Sequence, residues 1–172
     1  MTYGDDKREV IESAEELAND FWNFRHEFEF VAPTTTLDIA FDNAFDYIKR
    51  RSDSRPFIIS DMGDNPTAGG AGDVTWTLDK ILKMDQLKKN DSPELIYASI
   101  PGPDLISKAF EAGIGNNVSG FVGAMIDDRY SPPIEINGIV HSLKRGDLNA
   151  ELEAVIKVNN NYIICLLYTS PS

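Results

Sequence analysis

The chain has 172 residues, 42% of them hydrophobic and 26% charged, the composition of a globular domain with a core of its own. Its net charge of −12 and pI near 4.5 argue against a nucleic-acid partner, because phosphate contacts need clustered Lys and Arg. No apolar run approaches the roughly 20 residues of a membrane span, and residues 1–20 show no basic start followed by an apolar stretch. A cytoplasmic protein with no membrane partner is therefore expected.

In chain order, Ile11, Ala14, Ala18, Phe21, Trp22 and Phe28 recur at helical spacing and predict a helix over 5–28. Arg25 lies on that face. Either its stem packs while its head reaches solvent, or the guanidinium is held over a site to pair with a substrate carboxylate. Pro33 and threonines 34–36 end this helix. Thr36 then caps a second, reaching about Arg51, with Leu37, Ala40, Phe41, Ala44, Phe45 and Ile48 as its apolar stripe. The cluster Lys49-Arg50-Arg51 reads as favourable charge at that helix's C-terminus. Pro56 leads into a predicted strand, Phe57–Ser60, and a helix from Val74 to Met84 follows with Asp73 as N-cap. Further on, Glu94–Ile100 predicts a strand and Pro103–Ala112 a helix stopped by Gly113. Asn117–Met125 predicts another strand, weakened by Gly120 and Gly123. After Pro132-Pro133, the stretches Ile134–Lys144 and Glu153–Ile164 alternate apolar and polar residues, as half-buried antiparallel strands do. The fold expected is α/β: a mixed sheet with flanking helices and a C-terminal antiparallel strand pair, preceded by two helices.

The most specific stretch is Asp61-Met62-Gly63-Asp64-Asn65-Pro66-Thr67-Ala68-Gly69-Gly70-Ala71-Gly72-Asp73, a glycine-rich turn carrying acids and an amide between a strand signal and a helix signal. One reading is structural: Asp64 and Asn65 make side-chain turns, Pro66 fixes the backbone, glycines permit positive φ and Asp73 caps the helix. Another is a hard-metal site on the oxygens of Asp61, Asp64 and Asn65, although the spacing is not that of an EF-hand. A third is a non-catalytic domain that binds an anionic small ligand on the loop's backbone amides. A Walker phosphate loop is excluded, since Gly-Lys-Ser/Thr is absent. The two histidines, His26 and His141, stand alone, with neither HExxH nor Cys-x-x-Cys in the chain. A catalytic zinc needs about three protein ligands and an open position, so these residues do not assemble one and no metal ligand is assigned.

The run SDMGDNPTAGGAGDVTWTL, residues 60–78, resembles the D-x-x-DNP-x-GG-x-x-GD-(S/T)-T signature of the microcystinase C (MlrC-type) zinc metallopeptidases. The resemblance extends through Trp22-Asn23-Phe24-Arg25, Phe110–Gly115 and Val122-Gly123. It implies a metallopeptidase that hydrolyses a peptide or related amide with zinc-activated water, the ligands lying upstream of this region. Residues 1–55 would then end the upstream domain, 56–164 would form the C-terminal domain packing against it, and the isolated chain would be inactive. In that setting the loop walls the active site. Asp61, Asp64 and Asn65 are the candidate catalytic residues, orienting the metal-bound water or a substrate amine. Gly69, Gly70, Asp73 and Arg25 are the candidate substrate-binding residues, with the Gly69, Gly70 and Ala71 amides facing a carboxylate or oxyanion. The loop is expected at the C-terminal edge of the sheet, pointing into a cleft.

The ending Cys165-Leu-Leu-Tyr-Thr-Ser-Pro-Ser172 matches one reading frame of a transposase adapter used for sequencing libraries. Residues 165–172 are therefore expected to be a read-through tail that packs against nothing, save that the apolar run Ile163-Ile164-Cys165-Leu166 could add a strand residue or two by chance, and Cys165 carries no redox information.

Overall fold

In the computed structural model of the protein, residues 1–50, 55–89, 91–146 and 150–167 are described. In chain order they form helices α1 (Lys7–Phe24), α2 (Leu37–Arg50) and α3 (Trp76–Lys83), strand β1 (Leu95–Pro101), helix α4 (Pro103–Ala112), and strands β2 (Asn117–Val122), β3 (Ile134–Arg145), β4 (Leu152–Val158) and β5 (Asn161–Leu167). Two units separate, Met1–Asp42 and Asn43–Ser172. No helix among the described residues is long and apolar enough to cross a membrane.

In the first unit, the Asp6 carboxylate caps α1 by accepting from the amides of Arg8 (2.7 Å) and Glu9 (3.3 Å). The helix ends four residues earlier than its apolar pattern suggests. The Arg25 N–H bonds the Trp22 carbonyl at 3.3 Å and the Glu27 N–H bonds Phe24 at 2.8 Å, three-residue steps that tighten the last turn and stop it. None of α1 is buried. The predicted apolar face is present, but Ile11, Phe21 and Trp22 remain exposed.

The second unit is built on a mixed five-stranded sheet of order β1-β5-β4-β3-β2, parallel between β1 and β5 and antiparallel elsewhere. Alternate residues face one side. From that face Val118, Ile136, Val140, Ile156 and Ile163 meet Leu105, Ile106 and Ala109 of α4 and Leu78 of α3 in one buried cluster. The expected α/β class with a mixed sheet and C-terminal antiparallel pairing is what forms.

Four elements depart from expectation. Glu153–Ile164 is two strands, because Asn159 adopts a left-handed φ of 55° and turns the chain between β4 and β5. Asn161 then opens β5 with its side chain buried, donating to the Leu87 carbonyl at 2.9 Å. Phe57–Ser60 forms no strand; among the described residues β1 pairs only with β5, and Ile58 stays 82% exposed. Three apolar residues without a ladder partner cannot satisfy their backbone groups as a strand does, and Phe57 instead sets its ring 5.5 Å from Tyr47. Asn117–Met125 stops at Val122, where Gly123 (φ 66°) and Ala124 (φ 51°) turn left-handed. Finally, residues 165–167 do not lie free as a tail would. Cys165 is fully buried in β5, paired with Ala154 and Ile100, while 168–172 lie outside the described residues.

Leu105 is fully buried where α4 meets the sheet. Leu105→Ala should destabilise the chain by about 2–5 kcal/mol, the usual range for emptying such a site. Chemical denaturation measures it, and a loss under about 1 kcal/mol would contradict this packing.

Candidate functional site

The Asp61–Asp73 segment is held by its own side chains. The Asp61 carboxylate accepts from the Gly63 amide and from the Thr77 hydroxyl on α3, both at 2.7 Å. The Asn65 side-chain oxygen accepts from the Thr67 amide (3.0 Å) and hydroxyl (2.8 Å), starting a single 3-10 turn at Pro66–Ala68. The Asn65 carbonyl takes the Ala68 and Gly70 amides at 3.0 and 2.9 Å, and the Gly69 amide donates to Pro66 at 3.1 Å. Asp64 spans the loop: its two oxygens accept the amides of Gly72 and Val74, each at 2.7 Å. Gly72 needs its missing side chain here. With φ +70°, a Cβ would lie 2.5 Å from Pro66 Cγ.

Asp73 plays a part that the sequence does not suggest. Its carboxylate is 1% exposed and does not cap α3. It accepts instead from the backbone amides of Ile126 (2.6 Å) and Asp127 (3.2 Å), more than fifty residues away, and its carbonyl accepts from Ala124 at 2.6 Å. Thr75, fully buried, sits at the N-cap position of α3 but donates its hydroxyl to the Pro132 carbonyl at 2.8 Å. Because both side chains face the second loop, α3 begins at Trp76, two residues later than predicted, with no side-chain cap. Two loops, 61–75 and 123–132, are thereby fastened together. On the second, Arg129 makes a two-pronged pair with Asp127, which holds the Asp127 carboxyl down at about 2.

Asp61, Asp64, Asn65, Gly69, Gly70 and Asp73 are thus brought together in one loop, as their sequence proximity requires. The amides of Gly69 and Gly70 are engaged within the loop, whereas the Ala71 N–H has no partner among the described residues. Arg25 donates to the Trp22 carbonyl at 2.6 Å and lies 4.3 Å from the centre of that residue's ring, so its guanidinium is spent on its own helix end. His141 stacks edge-on against Tyr162, with ring centres 4.8 Å apart. Among the described residues no group of three or more His, Cys, Asp and Glu side chains is placed to hold a metal.

Tyr97 escaped the sequence reading. It lies on β1 and packs against the core cluster. Burial raises its phenol from the ordinary 10.0 to about 12, and the charges of Asp61 and then Asp64 add to the effect. An alternating strand position gave no hint of this. The second loop was signalled only weakly, by Gly123 and the Pro132-Pro133 pair.

A mixed sheet with helices packed on one face and two loops locked by buried carboxylate–amide bonds defines an α/β domain that presents a rigid loop pair. The MlrC C-terminus family matches residues 59–170, and the chain belongs to it. Among solved structures it is similar to that of a candidate metallopeptidase from Mesorhizobium sp. BNC1, with 18% identity and a TM-score of 0.59. That likeness, which concerns the fold, covers 92% of this chain and 32% of the other, so this chain spans about a third of that protein's length. No curated protein matches the chain.

The Tyr97 phenol gives a test of the site's electrostatics. Its pKa is raised in the fold, so the stability it contributes is fully present below pH 10 and is lost as pH rises toward 12. Difference titration of the chain against Tyr97→Phe should place this ionisation near 12, and Asp61→Asn should lower it. A midpoint at 10 in the parent chain would contradict the placement.

Proposed function

We propose that this chain is the C-terminal domain of a metallopeptidase that hydrolyses peptide or related amide bonds, and that the Asp61–Asp73 loop forms one wall of its active site. The observation that carries the reading is the joining of the family signature to a built structure: the acids of the signature are the groups that shape the loop. A zinc ion, held by residues upstream of this chain, would supply the activated water. This chain's own residues would provide shape. Asp61 and Asn65 fix the loop's two turns, and Asp64 draws Gly72 and Val74 onto it from across the loop. The Ala71 N–H stays available to a substrate carbonyl or carboxylate. Asp61, Asp64 and Asn65 are thus proposed as positioning groups, since each is already bonded to loop donors.

Positioning matters to rate because displacement of a reacting group by about 1 Å is enough to cost about 10²-fold. In the metallopeptidase that carries this domain, Asp64→Ala should lower kcat by about 10²-fold while leaving bound zinc unchanged. The 172-residue chain alone should take up no zinc tightly. Metal analysis and peptide turnover, measured on both proteins, test this together. Normal turnover in Asp64→Ala, or one tightly held zinc per isolated chain, would contradict it.

A further inference from the structure

The second loop carries something that its fastening does not explain. Between Gly123 and Pro132 it turns Met125, Ile126 and Tyr130 outward, with exposures of 60%, 78% and 68%. A connector between β2 and β3 has no need of three large apolar side chains in water. Nor is the loop free to fold them in. The Gly123 N–H bonds the Pro101 carbonyl at 2.7 Å, the Ala124 N–H is tied to the Asp73 carbonyl, and the backbone amides of Ile126 and Asp127 both end on the Asp73 carboxylate. Gly123 is pressed so closely to Thr75 and to the Asp73 carbonyl that a Cβ would collide with both. Ala124 is held at φ 51°, a conformation that costs a non-glycine residue about 1 kcal/mol or more. Asp73 loses nearly all its hydration to make these bonds.

Burial of a carboxylate and a left-handed alanine are both costs, and what they secure is the outward pose of Met125 and Ile126. The two side chains stand on the loop fastened directly to the Asp61–Asp73 wall. A methionine in such a place adapts its shape to varied apolar groups. We infer that Met125 and Ile126 form an apolar lip of the substrate site, contacting a bulky hydrophobic side chain of the peptide next to the bond that is cut. Asp73 is the positioning residue that holds the lip. This inference rests on the function proposed above.

The test is made in the metallopeptidase that carries this domain, with two peptides differing only at one residue beside the cleaved bond, leucine in one and glycine in the other. Met125→Ala/Ile126→Ala should reduce the leucine-to-glycine ratio of kcat/KM by about 10-fold or more, as expected when apolar contact in a specificity site is lost. Asp73→Asn should reduce the same ratio, because the lip is released, whereas an Asp73 that only supports the fold would lower both substrates alike. An unchanged ratio in the double variant would overturn the lip. So would loss of thermal stability in the full protein but not in the 172-residue chain, which would make Met125 and Ile126 a contact between domains. If the parent protein cleaves neither peptide, the peptidase reading fails and takes the lip with it. If it cleaves both and the ratio holds, only the lip fails.

Discussion

The fastening of the two loops hangs on the Asp73 carboxylate. It is buried, it meets no cation among the described residues, and it is satisfied by two backbone amides from a loop more than fifty residues ahead. A carboxyl group in such a place is tolerated only because hydrogen bonds replace its water. Losing them would leave buried polar oxygens unsatisfied and a loop unanchored together. The neighbouring Asp64 uses the same device at shorter range, holding the amides of Gly72 and Val74 on either side of Asp73. The three-residue stretch Gly72-Asp73-Val74 is therefore gripped from one side by Asp64 and grips the second loop on the other.

This arrangement explains why the signature run contains acids where serine or threonine would make an ordinary turn. A neutral hydroxyl accepts one or two weak bonds. A carboxylate offers two oxygens a fixed distance apart, able to hold two separate amides strongly. Thr75 completes the fastening through Pro132, and the sheet below gives it a fixed base, since Gly123 is tied to Pro101 at the end of β1. Membership of the MlrC C-terminus family and the likeness of fold to a candidate metallopeptidase place this loop pair on a scaffold that spans about a third of that longer protein.

Sequence periodicity was a good guide wherever a face is buried. Leu105, Ile106 and Ala109 lie where the helical spacing puts them, and the alternation of β3 reads directly as its two faces. It misled where a short apolar run lacked a partner. Phe57-Ile58-Ile59 has the composition of a strand but no neighbour to bond with. The turn at Asn159-Asn160 was hidden inside an alternating stretch, because two asparagines there look like polar strand positions as readily as a bend. The loop from Asp61 to Asp73 was legible as a built turn through its glycines, its proline and its Asx residues. The long-range bonds of Asp73 and Thr75, and the closeness of Tyr97 to Asp61 and Asp64, were not. Such contacts depend on which loops the fold apposes, and local pattern carries no record of that.

Asp64 and Asp73 act as one continuous support across residues 72–74. A double-mutant cycle on the unfolding free energy of the chain, with Asp64→Asn, Asp73→Asn and the pair, tests it directly. Groups that share a backbone segment should couple by about 0.5 kcal/mol or more. If the two substitutions add to within about 0.3 kcal/mol, the two carboxylates act independently and the loop pair is not locked as one unit.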